Sequence, residues 1–214
     1  MKKYLSLALI GFVFSAGGVA LACRMNDNDL EAYAPRNGDI ILHTSTTSQS
    51  RAIQLATESP YSHVGIVYIK DGNPMVYEAV STVRLTDLDE WTARGAGQWY
   101  TVKRLKNADS ILTEHALNDL LEEGEKYSGR GYDKMFRWTD AKMYCSELVW
   151  KIYHRALGID VGDLRRAGEF GSDNEYVQGV IENRWGSSFN QDEIIVSPAD
   201  IDMSDRLVTV FSNY

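Results

Sequence analysis

Apolar and polar positions follow two different periods along this chain, and the periods separate strands from helices. Ile40-Ile41-Leu42, opened by Gly38-Asp39, is a short apolar run that reads as a buried strand. Residues 62–69 (SHVGIVYI) and 75–80 (MVYEAV) are rich in β-branched and aromatic side chains. Between them, Lys70-Asp71-Gly72-Asn73-Pro74 carries the Asp-Gly signal of a hairpin. Helical spacing takes over from about Arg51 to Glu58, with Ser48 or Ser50 as the cap and Pro60 as the stop. It returns over Thr113 to Lys126, where Leu117, Leu120 and Leu121 share one side. It appears again over Tyr144 to Leu157, where Leu148, Val149, Ile152 and Ala156 form an inward stripe that Gly158 ends. Residues 84–91 read as a short helix or loop, and 99–105 and Leu207 to Phe211 as strands. Gly162 to Gly179 reads as irregular or weakly helical. The order predicts an α+β domain with an antiparallel sheet packed against helices.

One stretch stands outside that pattern. Lys2 and Lys3, the apolar run Leu5 to Phe14 and the small-x-small ending Ala20-Leu21-Ala22 make a three-part signal peptide over residues 1–22. Ser15, Gly17 and Gly18 interrupt the run, which argues against a membrane anchor. Residues 23–34 then read as a polar linker and 35–214 as one domain, a size typical of single domains. The expected location is the periplasm or cell envelope. Ala20-Leu21-Ala22-Cys23 also resembles a lipobox with Ala20 in place of the usual leucine, so Cys23 is a candidate for lipidation; ordinary signal peptidase accepts the same residues. Membrane attachment is expected only through such an anchor.

Charge narrows the partners. Losing Lys2 and Lys3 with the signal peptide takes the formal charge from −8 by two more units to −10. A chain this acidic repels phosphate backbones, which disfavours nucleic acid. The only cysteines are Cys23 and Cys145. A disulfide between them is the alternative to two separate roles, and a cysteine in a tail ahead of the domain is badly placed for it. No histidine pair has zinc-helix spacing and the chain lacks Cys-x-x-Cys, so neither zinc nor any other cofactor is expected. Gly-x-Ser-x-Gly is absent, against a serine hydrolase elbow.

Cys145 opens the Tyr144 to Leu157 helix, where uncompensated N–H groups favour a thiolate, the nucleophilic form. The alternative is a small buried hydrophobe. His63 and Glu78 lie on the two strands of the hairpin. A turn at Asp71-Gly72 sets Glu78 diagonal to His63, and a turn at Lys70-Asp71 sets them face to face; either puts both on one side of the sheet. A carboxylate on one ring nitrogen would leave the other for the thiol. His43 is the nearest competitor as base; His115 reads as solvated, and His154 lies too far along the cysteine's own helix. Trp138, shortly before the cysteine, is expected to line a cleft, and Tyr144 to contact substrate.

Taken in order, Gly38-Asp39-Ile40-Ile41, Ser50 to Thr57, Tyr61-Ser62-His63-Val64-Gly65, Tyr77-Glu78-Ala79-Val80 and Tyr144-Cys145-Ser146-Glu147-Leu148-Val149-Trp150 resemble a family, the YiiX/YaeF-like permuted papain-like amidases. These are relatives of the NlpC-type cell-wall peptidases. Tyr132-Asp133 and Val196-Ser197-Pro198 fit the same pattern, and the likeness spans about residues 35–200. It implies a circularly permuted, papain-like (NlpC-like) fold with the histidine before the cysteine, and catalytic positions at His63, Glu78 and Cys145. The implied activity is amide hydrolysis through a thioester on Cys145, on a small peptide or lipid-like amide. A lipid acyltransferase or thioesterase with the same triad, and a non-catalytic lipoprotein that binds peptide or lipid, are the competing readings.

Overall fold

The computed structural model describes residues 33–47, 49–171 and 173–214, so the expected signal peptide, Cys23 and Ser48 lie outside the described residues. The first half runs β1 (Ile40–Ser45), α1 (Ser50–Thr57), β2 (His63–Lys70), β3 (Asn73–Ala79), β4 (Val83–Asp87), α2 (Leu88–Ala93) and β5 (Gly95–Leu105). Next come α3 (Ala108–Ile111), α4 (Glu114–Glu125) and α5 (Cys145–Leu157). The last third holds β6 (Arg165–Arg166), α6 (Glu175–Arg184), β7 (Ile194–Ile195), α7 (Pro198–Asp202) and β8 (Leu207–Ser212), with 3-10 turns at Ala167–Glu169 and Gly186–Ser188.

Six strands form one sheet in the order β4-β3-β2-β1-β5-β8, every neighbouring pair antiparallel. Alternation along the strands gives the sheet two apolar faces. Ile40, Leu42, Val64, Ile66 and Tyr77 pack against Leu148, Val149 and Ile152 of α5 and Leu120 of α4. On the opposite face Ile41, Val67, Val76 and Val102 pack on Leu88 and Trp91 of α2. The expected antiparallel α+β layering is what forms.

The hairpin takes the first of the two registers considered. Lys70 pairs with Asn73 and Ile66 with Tyr77, leaving Asp71 (φ 51°) and Gly72 (φ 81°) as the turn. Two positive φ values suit the twist of the flanking strands, and Asp-Gly supplies them cheaply.

Several local expectations change. Residues 84–91 hold a strand and then a helix: β4 pairs with β3 from Met75↔Asp87 to Ala79↔Val83, and Asp87 caps α2 by accepting from the N–H of Asp89 at 2.9 Å. Polar Arg84, Thr86 and Asp87 hid the strand. The cap of α1 also differs. Gln49 precedes the helix without a side-chain cap, while the Ser50 hydroxyl bonds that of Ser62 at 2.6 Å. Within Gly162 to Gly179 the chain begins a real helix, α6.

Candidate functional site

His63 starts β2, and Gly65 is the next residue on the same side of that strand. The β2–β3 register sets Gly65 opposite Glu78, and a Cβ added to Gly65 would lie 3.6 Å from the Glu78 Cβ. The missing side chain leaves the diagonal open, and His63 Nε2 meets Glu78 Oε2 at 2.7 Å. Glu78 is fully buried, yet its other oxygen is also satisfied: Thr86 Oγ1 donates to Oε1 at 2.6 Å and Arg94 Nη2 at 2.5 Å. Burial alone would raise this carboxyl. The bonds and charges of His63, Thr86 and Arg94 outweigh it and hold the group down at about 2, ionised.

Cys145 is the first residue of α5, a free thiol 3% exposed. With Nε2 of His63 committed to Glu78, Nδ1 is the ring nitrogen left for the Cys145 thiol. Burial pushes the His63 imidazolium down, but the bonds to Cys145 and Glu78 prevail and lift it to about 9. The helix start is pinned from outside. Ser146 Oγ donates to the Val196 carbonyl at 2.8 Å, the Val196 N–H donates to the Tyr144 hydroxyl at 3.3 Å, and the Tyr144 N–H donates to Glu147 Oε2 at 3.4 Å.

His43, the competitor, is a wall. Its ring stacks on Trp91 at 4.0 Å and lies 5.2 Å from His63, centroid to centroid. Burial first, then the charges of His63 and Arg94, push it down to about 2, so it stays neutral. His115 is exposed beside Asp119, and His154 bonds Asp160 and stacks on Trp150, both away from the site as expected.

An apolar cavity of about 160 Å³ opens beside Cys145 and Tyr144, between α1 and α6. Tyr144, expected from the sequence to contact substrate, lines it. Trp138 does not, and that expectation is corrected. Its ring receives the Lys151 ammonium at 4.7 Å and packs on Trp150 at 5.3 Å, behind α5. Phe136 and Trp185 are the aromatic lining instead. Gln49 and Tyr132 edge the cavity: Arg184 Nη1 donates to Gln49 Oε1 at 2.7 Å, and Gln49 Nε2 reaches the Tyr132 hydroxyl at 3.5 Å. Burial, followed by the nearby Cys145 charge, raises the Tyr132 phenol well above its usual value, so it keeps its proton. Sequence reasoning missed Arg94, Thr86, Gln49 and the α6 wall as site residues. Tyr132, the α1 segment and Val196-Ser197-Pro198 had left a signal, as parts of the family-like pattern. Among the described residues no group of three or more His, Cys, Asp or Glu side chains could hold a metal ion.

Three comparisons bear on this arrangement. The family described as permuted papain-like amidase enzyme, YaeF/YiiX, C92 family, matches residues 34–211. The uncharacterized protein YiiX of Escherichia coli K12 is 39% identical over 179 residues, covering 84% of this chain and 87% of its own length. A crystal structure of YiiX from Escherichia coli O157:H7, there described as a metalloprotein, superposes with a TM-score of 0.82 at 38% identity, covering 85% of this chain and 99% of that one.

Proposed function

Because the chain belongs to the permuted papain-like amidases of the YaeF/YiiX, C92 family, we propose that it is an exported cysteine hydrolase cleaving an amide through a thioester on Cys145. The family is one of cysteine peptidase/amidase-type hydrolases with a permuted papain-like fold, the histidine ahead of the cysteine in chain order. The observation that carries the catalytic assignment is one imidazole shared between a thiol and a buried carboxylate, with Nε2 2.7 Å from Glu78.

In this reading Cys145 Sγ attacks the carbonyl carbon and forms the S–C bond. The oxyanion is received by the Cys145 backbone N–H at the start of α5. His63 Nδ1 passes its proton to the leaving nitrogen, and the C–N bond breaks. Water then gives a proton to His63 and adds its oxygen to the thioester; the S–C bond breaks and the acid leaves. Glu78 holds the ring in one tautomer and orientation throughout. Replacing Cys145 with Ala should abolish turnover of an acyl-amide probe, and the acyl adduct seen by intact mass, while changing Tm by little. Full turnover in that variant would sink the assignment.

The apolar cavity beside Cys145 supports a second reading on the same triad, transfer of the acyl group to an alcohol or amine. Adding such an acceptor and measuring acid against transfer product separates the two. Export rests on the residue 1–22 pattern, and the mass of the mature N-terminus tests it together with acylation of Cys23. Among the described residues no helix is long and apolar enough to cross a membrane.

A further inference from the structure

Behind the triad, a further set of groups converges on the second oxygen of Glu78. Thr86 Oγ1 donates to Oε1 at 2.6 Å, Arg94 Nη2 donates at 2.5 Å, and Arg84 Nε lies 3.9 Å away. Oε2 goes to His63.

Arg94 reaches this oxygen because of where α2 ends. Asp87 caps that helix, Leu88 and Trp91 bury it against the sheet, and the Arg94 N–H closes it on the Trp91 carbonyl at 3.3 Å. Gly95 follows, so close to His43 that an added Cβ would lie 2.8 Å from Nδ1. The same helix lays Trp91 over His43 and His63, at 4.0 and 5.7 Å between ring centroids. One short helix thus covers the imidazole and grips the carboxylate behind it.

That grip differs from a purely structural ion pair. Arginine closes most strongly on a carboxylate with two N–H groups, one to each oxygen. Here Nη2 meets Oε1, while Arg94 Nε is buried with no hydrogen-bond partner among the described residues. Oε2 is left to the imidazole. A cation at Oε1 makes the carboxylate a weaker holder of the imidazolium at Oε2. This matters because Nδ1 must surrender a proton in every turnover, and a general acid works best when its proton affinity lies near the working pH.

We propose that Arg94 is a positioning residue acting through Glu78: by countering the charge at Oε1 it limits how tightly His63 keeps its proton, so that the imidazolium can protonate the leaving amine. The proposal rests on the amide-hydrolase reading and adds a member behind Cys145, His63 and Glu78. The other groups facing the pair do not replace it. Arg84 is 46% exposed and equally far from Glu90, Thr86 carries no charge, and His43 stays neutral.

The test reads His63 directly. The full chain has four histidines, so isotope-labelled imidazoles can be followed by NMR, with His63→Gln assigning the signal. The pH profile of kcat/KM on N-acetyl-alanyl 7-amino-4-methylcoumarin amide is measured beside it. In Arg94→Gln the His63 midpoint should rise by about half a unit to one unit, and the alkaline limb of kcat/KM should follow it. That is the reverse of what loss of Glu78 does. The kcat should fall about tenfold with KM unchanged, because the proton is transferred only in the transition state. Arg84→Gln removes the same charge without a bond, from an exposed position that solvent screens, and should move the midpoint by about a third as much or less. Arg94→Lys keeps the charge but not the planar fork, so its midpoint should fall between those of the parent and Arg94→Gln. An unmoved or lowered midpoint in Arg94→Gln, or an equal rise in Arg84→Gln, overturns the proposal and leaves Arg94 a structural counter-ion. A raised midpoint with kcat unchanged overturns it too. Should Arg94→Gln show no cooperative urea transition, Arg94→Lys decides, and a midpoint no higher than the parent's overturns the proposal. These outcomes leave the hydrolase standing. A parent that cleaves no amide and takes no acyl group at Cys145 removes the hydrolase reading, and this role of Arg94 with it.

Discussion

Glu78, itself fully buried, receives three donors, and its charge sets how the neighbouring imidazole behaves with pH. His63 is lifted to about 9, so its stabilising contribution is complete below its ordinary value of 6.5 and is lost as pH rises through about 9. Glu78 is held at about 2, so its contribution is complete above 4.5 and is lost as pH falls through about 2. The pair is therefore worth most between 4.5 and 6.5. Glu78→Gln should lose stability most in urea melts near pH 5–6, with the gap to the parent narrowing towards pH 10; a gap constant across that range would contradict the pairing. In catalysis the alkaline limb of kcat/KM should lie near 9 in the parent. It should move downward in Glu78→Gln, with kcat/KM falling tenfold or more. His63, Glu78 and Cys145 were legible in the sequence because strand alternation and a helix start are local properties. Arg94 and Thr86 were not: they reach Glu78 from the end of α2 and from β4, and no local pattern says which strand pairs with β3. Trp138 misled for the same reason, since nearness in sequence to Cys145 did not decide which side of α5 its ring would take.

At the level of elements, the β2–β3 ladder does the positioning, and Gly65 is its tightest point. An added Cβ there would lie 2.4 Å from Val76 Cγ1 and 2.9 Å from the Tyr77 carbonyl oxygen, and the carbonyl is backbone that cannot swing aside. Gly65→Ala should therefore cost about 1–3 kcal/mol, with Tm falling about 2–4 °C per kcal/mol, and should part the strands that join His63 to Glu78. A drop in kcat/KM beyond tenfold is expected. Gly158 is the matched control at the far end of α5: it caps the helix at φ 67° with open space around it. Gly158→Ala should cost about 1 kcal/mol through backbone strain alone and leave kcat/KM unchanged. Equal activity loss in both variants would mean that stability, and not geometry, controls turnover. The hairpin and α5 were readable because their punctuation, Asp71-Gly72 and Gly158, agrees with their periodicity. In α6 the two conflict. Val177, Val180 and Ile181 make an apolar stripe, but Gly179 interrupts it, and a mid-helix glycine costs about 1 kcal/mol relative to alanine. The wall that sizes the cavity was hidden for that reason.

Across the molecule, the helix that carries the thiol is fixed to its surroundings by a charge relay on its rear that is buried at Lys151 and Glu147 and reaches solvent at Asp140 and Arg155. Lys151, 2% exposed, donates to Glu147 Oε1 at 2.6 Å, Asp140 Oδ1 at 2.9 Å and the Thr139 carbonyl at 3.1 Å. Asp140 passes the connection to Arg155 at 2.7 Å, and Arg155 to the Tyr127 hydroxyl, which donates to Glu123 of α4 at 2.6 Å. Two helices and the loop between them are thus joined by a chain of charges that is buried at Lys151, Glu147 and Glu123 and exposed at Asp140 and Arg155, along the helix whose first residue is Cys145. Glu147 shows the tension: burial raises it, Lys151 pulls it back, and it sits at about 7. Its folded value above 4.5 means that it favours the fold at low pH and that this contribution is lost as pH rises through about 7. Lys151→Met takes away the opposing charge and lets burial raise Glu147 further. The expected loss is about 3–5 kcal/mol at pH 8, where Glu147 must either hold an unpaired buried charge or take up a proton against the solution. At pH 5 the carboxyl protonates readily and the loss should be smaller. Glu147→Gln combined with Lys151→Met removes both charges, and most of the stability should return even though two ion-pair partners are gone. Urea melts of the single and double variants at both pH values decide the matter. A Lys151→Met loss that is the same at pH 5 and pH 8, and that the second substitution fails to recover, would assign the cost to lost packing around Trp138 and not to a stranded charge.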